Sequence, residues 1–396
     1  MFGLVSSAQT MAAIKAASRA ANANTIYPFQ RWTPQELSVY MAQSYLKHNE
    51  AMRLFFADFT VITKERTWEV PINGTDDDFS IVAEGAPVVP TIGSMESFSQ
   101  GVLMSAFQKE FTWTREGMHL ISLESFVEEM ESHFRGHRKL VSRKMLEAFF
   151  HATSTAGRDT TGDKTLLTQY PFANGDSVRK YPASWKGGNV LSTHNHYLGR
   201  IAGAFAGPDL DAAAAHIYEH YRIPVNHMVG TGTTALITGL TGFVPVREEN
   251  VHYSDTAKYY EQGFSRETDA FSLEPVFLGT YNGRKCWSAW WIPDNYVVTL
   301  TNAKEKGMKP LRVRVPDSRF MEGGIGSRIP FIPGRDGGKE PGFGELQITR
   351  TGNMADIFTV QNSYAEFGIA SHNPLTVVIT DMLNTVYAEP TPVLGY

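Results

Sequence analysis

The sequence predicts an α+β fold made of two or three compact units, and three observations carry that expectation. Residues 57–113 alternate apolar with polar side chains, residues 122–151 hold one long helical pattern, and residues 208–310 mix helix and strand signals. At 396 residues the chain is also too long for one typical domain.

Taken in order, residues 1–56 read as an irregular arm with helical pieces. Thr33 is placed to cap a helix that Pro34 opens, and Leu37, Met41 and Tyr45 keep one apolar face. In 57–113, Phe59, Val61, Trp68 and Val70 alternate with polar neighbours, and Phe107, Phe111 and Trp113 share one parity. Between them, Asn73-Gly74 followed by Asp76, Asp77 and Asp78 marks a turn. Two β-runs around a Gly- and Pro-containing middle predict a long hairpin. An isolated ribbon is marginal in water, so this one needs something else to lie on.

The clearest element is the helix over 122–151. Leu123, Phe126, Val127, Met130, Phe134, Val141, Met145, Ala148 and Phe149 recur at three- and four-residue spacing, and either Ser122 or Ser125 can begin it. Glu124, Glu128, Glu129 and Glu131 fill its first half, with Arg135, Arg138, Lys139, Arg143 and Lys144 in its second, a polarity that complements the macrodipole. At 1.5 Å per residue such a helix is roughly 40 Å long, which suits a structural axis. Gly136 weakens it by about 1 kcal/mol relative to Ala.

Residues 153–200 are rich in turns. Beyond them, 209–221 is a helix candidate with Asp209 as its cap. Met228-Val229 leads through a turn into a short helix carrying Leu236 and Leu240, and 287–300 is dense in aromatic and β-branched residues. Residues 322–344 form a Gly- and Pro-rich loop, and 375–379 end the pattern with a strand.

Composition narrows the function. Hydrophobic residues make up 42% and charged residues 19% of the chain, enough apolar material for a sizeable core, and no apolar run is long enough to span a bilayer as a helix. A net charge of −5 argues against a dedicated nucleic-acid binder, yet it is compatible with a shell that merely encloses DNA. The single cysteine, Cys286, rules out an intrachain disulfide and reads as a small buried residue beside Trp287. Near the N-terminus Ala21-Asn22-Ala23 looks like a cleavage site, but Lys15 and Arg19 interrupt the stretch before it, so export is not expected.

Chemical motifs are few. Gly230-Thr231-Gly232-Thr233-Thr234 suggests a phosphate-cradling loop, but no lysine follows and the dinucleotide spacing is absent; a strand-to-helix turn fits better. His133 and His137 stand four apart, as helical metal ligands do, with Phe134 where a zinc peptidase has glutamate; they read as helix-surface histidines. His194 and His196 lie in a loop with no nearby carboxylate. Gly324-Ile325-Gly326-Ser327 lacks nucleophile-elbow spacing, and the three aspartates at 76–78 read as a solvated hairpin tip. No catalytic, cofactor-binding or metal-binding residue is therefore expected.

The order of parts is more specific than any motif. An arm, a long hairpin, a long charged helix and a mixed α/β region together resemble the major capsid proteins of tailed bacteriophages, with their Hong Kong 97-type fold. The local likeness is best at Val82-Ala83-Glu84-Gly85-Ala86-Pro87-Val88-Val89-Pro90, similar to the family's acidic-Gly-Pro stretch in its extended loop. Phe111-Thr112-Trp113-Thr114-Arg115-Glu116 then precede the long helix, as in the family. Tyr221-Arg222-Ile223-Pro224-Val225-Asn226-His227-Met228-Val229, leading to Leu236 and Leu240, is similar to a strand-and-helix segment of the axial domain.

The resemblance implies a fold with an N-terminal arm (1–56), an extended β-hairpin loop (57–113), a peripheral domain (114–200) around a spine helix at 122–151, an axial α/β domain (201–350) and closing strands (351–396). It implies self-assembly into pentamers and hexamers around double-stranded DNA, in a virion assembled in the host cytoplasm, with no membrane. Scaffolding, portal and decoration proteins would be separate partners, since only some 25 Ala-rich residues could play the part of the family's N-terminal scaffold. Lys64 and Lys109 flank the hairpin, but the sequence names no cross-linking partner for either. Two other readings stay open: an encapsulin-like compartment shell, and a cytosolic enzyme using the 230–234 turn for a nucleotide.

Overall fold

The computed structural model describes residues 44–45, 48–49, 52, 59–71, 97–114, 123–160, 164–176, 179, 181–182, 190–191, 193–201, 203–245, 275–302, 306–315, 347–351 and 358–390. The 76–78 aspartates, the 82–90 stretch, and the 322–344 loop with Gly324 to Ser327 lie outside them. The chain forms two compact units, one of 1–52, 106–138 and 316–366, the other of 53–105, 139–315 and 367–396.

The described strands are β1 (Thr60–Thr63), β2 (Thr67–Pro71), β3 (Ser97–Gly101), β4 (Ser105–Thr114), β5 (Thr155–Gly157), β6 (Leu167–Gln169), β7 (Tyr181–Pro182), β8 (Val190–Leu191) and β9 (Tyr197–Gly199). There follow β10 (Val225–Val229), β11 (Phe243–Pro245), β12 (Val276–Tyr281), β13 (Arg284–Ser288), β14 (Tyr296–Thr301), β15 (Leu311–Arg314), β16 (Gln347–Thr351), β17 (Phe358–Ser371) and β18 (Val377–Asp381). The helices described over their whole length are α1 (Leu123–Phe150), α2 (Gly207–Tyr221) and α3 (Thr234–Thr238), and Ser44, Tyr45, His48, Asn49 and Met52 are helical as well. None is long and apolar enough to cross a membrane.

The long helix matches its expected span within a residue at each end, at 28 residues. Its last turn carries no basic residue, so the charge complement stops short of the C-terminus. In the first unit its apolar stripe buries Val127, Met130 and Phe134, and Tyr45 meets Phe134 edge-on with ring centroids 4.9 Å apart. There β16 pairs antiparallel with the leading part of β17, from Gln347↔Tyr364 to Thr351↔Val360, and β4 also pairs with β17.

The antiparallel ribbon expected within 57–113 is present, but its second arm is β3 and not the 102–113 run. Residues 67–71 pair with 97–101, Thr67↔Gly101 through Pro71↔Ser97. Nor is the first part of the ribbon free of its own subunit. In the second unit β1 runs parallel to β15, Thr60↔Leu311 through Thr63↔Arg314, and β15 is antiparallel to the end of β17. Val102 and Met104 are buried as well. Alternation shows which face a strand buries but not which strand it pairs with.

The second unit is centred on a mixed seven-stranded sheet ordered β11-β12-β13-β10-β14-β18-β9. Its middle strands β14 and β18 are buried at every position. Such continuous burial suits strands covered on both faces. Strands β12 and β13 join through Asn282-Gly283, both at positive φ (47° and 76°), the backbone that a tight right-twisting hairpin requires. Helix α2 lies on β18, β14 and β10, and Leu210, Ala213, Ala214 and Ile217 recur at helical spacing on its buried face.

Asp209 is not the helix cap. It sits at the third position of α2, where its carboxylate accepts the Ala206 and Ile201 N–H groups at 2.8 and 2.7 Å, and Pro208 occupies the opening turn.

Candidate assembly surface and buried histidine clusters

The 230–234 turn connects β10 to α3, and its anion-binding position is already filled. Gly232 N–H donates to Asp294 Oδ1 at 2.8 Å, and a Cβ on Gly232 would run into the same carboxylate. The hydroxyls of Thr233 and Thr234 turn back to the carbonyls of Gly230 and Thr231. An incoming phosphate would meet a fixed negative charge rather than free N–H groups. We expect millimolar Mg-ATP to leave the thermal midpoint unchanged; a saturable rise would reopen the nucleotide-using reading.

His133 and His137 are buried, which corrects the helix-surface reading. They fall on the same stripe as Met130, Phe134 and Val141, so burying that stripe takes both histidines with it. His137 Nδ1 lies 2.9 Å from His48 Nε2, and His48 stacks on Phe134 at 4.6 Å. Burial, with His137 and Arg138 adding to it, lowers the His48 pKa to about 2; burial and Lys109 lower that of His133 to about 4. Among the described residues, these histidines do not converge into a metal-ligand group of three.

His194 and His196 have a different setting. Helix α2 brings His216, Glu219 and His220 beside the loop that holds them, so four histidines and one carboxylate converge. His194 Nε2 lies 2.8 Å from His196 Nε2 and 2.7 Å from His220 Nε2, and the His196–His220 pair stands at 3.4 Å. His196 Nδ1 donates to the Val377 carbonyl at 2.6 Å. Glu219 Oε1 lies 3.4 Å from His216 Nδ1, 3.7 Å from His220 Nε2 and 3.9 Å from His194 Nε2. Burial is the leading cause that lowers the His194, His196 and His216 pKa values, His194 to about 4, and that raises the Glu219 pKa. The sequence did hold a signal for this cluster: His216-Ile217-Tyr218-Glu219-His220 puts His216, Glu219 and His220 within one turn of the helix. It went unread because 26 residues separate His220 from His194.

Cys286 is buried, and desolvation raises its thiol pKa to about 11, as a packing role requires.

Four of the large apolar side chains that stay exposed lie on α3, β11 and β12, at one end of the large sheet. Leu236 on α3, Val244 on β11, and Val276 and Phe277 on β12 all face solvent, Val276 at 63% exposure. Among the described residues β11 is the outermost strand on that side, and none of them pairs with its outer edge.

No protein-family model and no curated protein matches the chain. Among solved structures, one from Mycobacterium phage Patience is similar at TM-score 0.58 and 17% identity, covering 92% of both chains. The bacteriophage PhiM1 mature capsid gives 0.46 at 10% identity, covering 83% of this chain and 87% of that one. The holo-SrpI encapsulin complex of Synechococcus elongatus gives 0.41 at 13%, covering 97% of both. The first of these likenesses shows the fold: the chain has the Hong Kong 97-type architecture.

Proposed function

We propose that this chain is the major capsid protein of a tailed double-stranded DNA bacteriophage, assembling with copies of itself into pentamers and hexamers of an icosahedral head. The observation that carries the reading is the shared fold with a phage structure over 92% of both chains. On this reading 1–56 is the arm, 57–113 the extended loop, 114–200 the peripheral domain, 201–350 the axial domain and 351–396 its closing strands. The protein acts as a structural component of the virion rather than as an enzyme.

The surface chemistry supports it. Val244 stands exposed on β11, the outermost strand on that side among the described residues, and Val276 stands exposed on the neighbouring β12. Covering each with a neighbouring subunit would contribute up to roughly 1.5–3 kcal/mol. Repeated head-to-tail contacts of that kind close into rings.

Negative-stain microscopy of the expressed protein, alone and with its neighbouring genes, should show closed shells. A chain that stays monomeric under every condition would overturn the proposal, and shells filled with a protein cargo would turn it toward a compartment protein. In the Val244→Lys/Val276→Glu double variant we expect particle yield to fall about tenfold or more, because an unpaired charge must be buried at the contact. Its monomer stability should stay within about 0.5 kcal/mol of the parent, as for other exposed substitutions.

A further inference from the structure

We propose that His194, His196, His220 and Glu219 form a closed binding site for a zinc-class divalent cation, which braces the large sheet unit from within. This inference stands apart from the shell reading and would hold for any function of the fold.

Proton counting among the imidazoles is the first support. The Val377 carbonyl can only accept, so His196 Nδ1 must carry the proton and its Nε2 is a bare lone pair. Three Nε2···Nε2 contacts of 2.7, 2.8 and 3.4 Å then remain to be satisfied. If His194 and His220 both carry protons on Nε2, two hydrogens collide across the shortest contact. If one does, the other ring and His196 face each other lone pair to lone pair. If neither does, all three contacts repel. No arrangement of neutral rings gives each of the three contacts its own proton. A cation at its centre accepts all three lone pairs at once.

The second support is geometry. Tetrahedral zinc with nitrogen ligands at about 2.0–2.1 Å needs ligand atoms roughly 3.3 Å apart. The observed edges are close to this, so ring shifts of about half an ångström would open the triangle around the ion. Glu219 Oε1, at 3.7 and 3.9 Å from two of the nitrogens, supplies the fourth corner. Its side chain keeps 38% exposure, which leaves an entry path from solvent.

The surroundings are built as metal sites are. The Val377 carbonyl fixes the tautomer and ring angle of His196, the outer hydrogen bond that metal-bound histidines use. His216 stacks flat on His194, at 4.5 Å and 2°, and its Nδ1 approaches Glu219 Oε1, so it orients both neighbours. The His216-x-x-Glu219-His220 spacing is also that of a zinc-peptidase helix, whose metal keeps a position for water. Here three buried histidines form the core of the site, and Glu219 lies close enough to two of them to take the remaining position in place of water, so the site is structural rather than hydrolytic. An ion in it would tie the 194–196 loop to α2 and, through Val377, to β18.

The test is zinc chloride titrated into the full-length protein after chelator treatment, followed by calorimetry and thermal unfolding, with cobalt(II) as an optical probe. We expect one equivalent to bind with submicromolar affinity, a rise in the unfolding midpoint, and the intense visible bands of tetrahedral cobalt. His194→Gln and His220→Gln should each weaken binding by roughly 100-fold or more, and Glu219→Gln by about tenfold. Should a histidine variant fail to fold, Glu219→Gln and the cobalt spectrum of the parent still decide. Absence of saturable binding at micromolar zinc, an octahedral cobalt spectrum, or an affinity unchanged in the variants would each overturn the proposal.

Discussion

Replacing Asp159 with alanine is expected to cost the larger unit about 3–5 kcal/mol, the penalty for leaving a buried charge without its partner. Asp159 is 2% exposed and Arg314 7%. The carboxylate accepts Arg314 Nη1–H at 2.8 Å and Met104 N–H at 2.9 Å, and Arg66 Nε approaches it at 3.4 Å. Arg314 donates as well to the Val102 carbonyl. One carboxylate thus ties together the segment after β3, the loop after β5 and strand β15. Urea unfolding should show a lower midpoint, and Asp159→Ala/Arg314→Met should recover part of the loss, because the orphaned guanidinium is then gone. The exposed Lys144–Glu147 pair makes the control: Lys144→Ala should cost under about 1 kcal/mol. Equal losses at the two sites would mean that burial does not govern the Asp159 contact.

Acid sensitivity is the second large effect. The His227 pKa is lowered from 6.5 to about 3, chiefly by burial and then by Arg284 on β13, against a raising pull from Asp211 on α2. A histidine depressed in the folded state leaves stability intact above pH 6.5 and removes it as the pH falls toward the folded value. The unfolded chain takes up a proton that the native one refuses. Each pH unit below 6.5 should therefore cost about 1.4 kcal/mol through His227 alone. His194, His196 and His216 act in the same direction in this unit, and His48 and His133 in the other. Urea midpoints compared between about pH 7 and pH 5 read the summed histidine effect, since most carboxylates titrate lower, and the His227 share is the difference between the parent and a His227 variant. His227→Gln should flatten the slope, and a parent protein equally stable at both ends would contradict it.

These two effects rest on contacts of very different legibility. The long helix, the turn at 230–234, a strand near 375–379 (seen at Val377–Asp381) and the mixed character of 208–310 could all be read from the chain, because each depends on neighbours two to four residues apart. The expected α+β class agrees with the fold seen. Asn282-Gly283 was equally local and equally readable as a hairpin turn.

What only the tertiary structure decided is which distant groups meet. The partner of β2, the joining of Thr60–Thr63 to β15, the burial of His137 against His48 and the pairing of Asp159 with Arg314 join residues about 30 to 250 positions apart. Alternation and helical period select a buried face and leave its occupant open. His194 and His196 show the consequence: their neighbours along the chain offer no third ligand, and three further groups reach them only because Ala213, Ala214 and Ile217 seat α2 on the sheet.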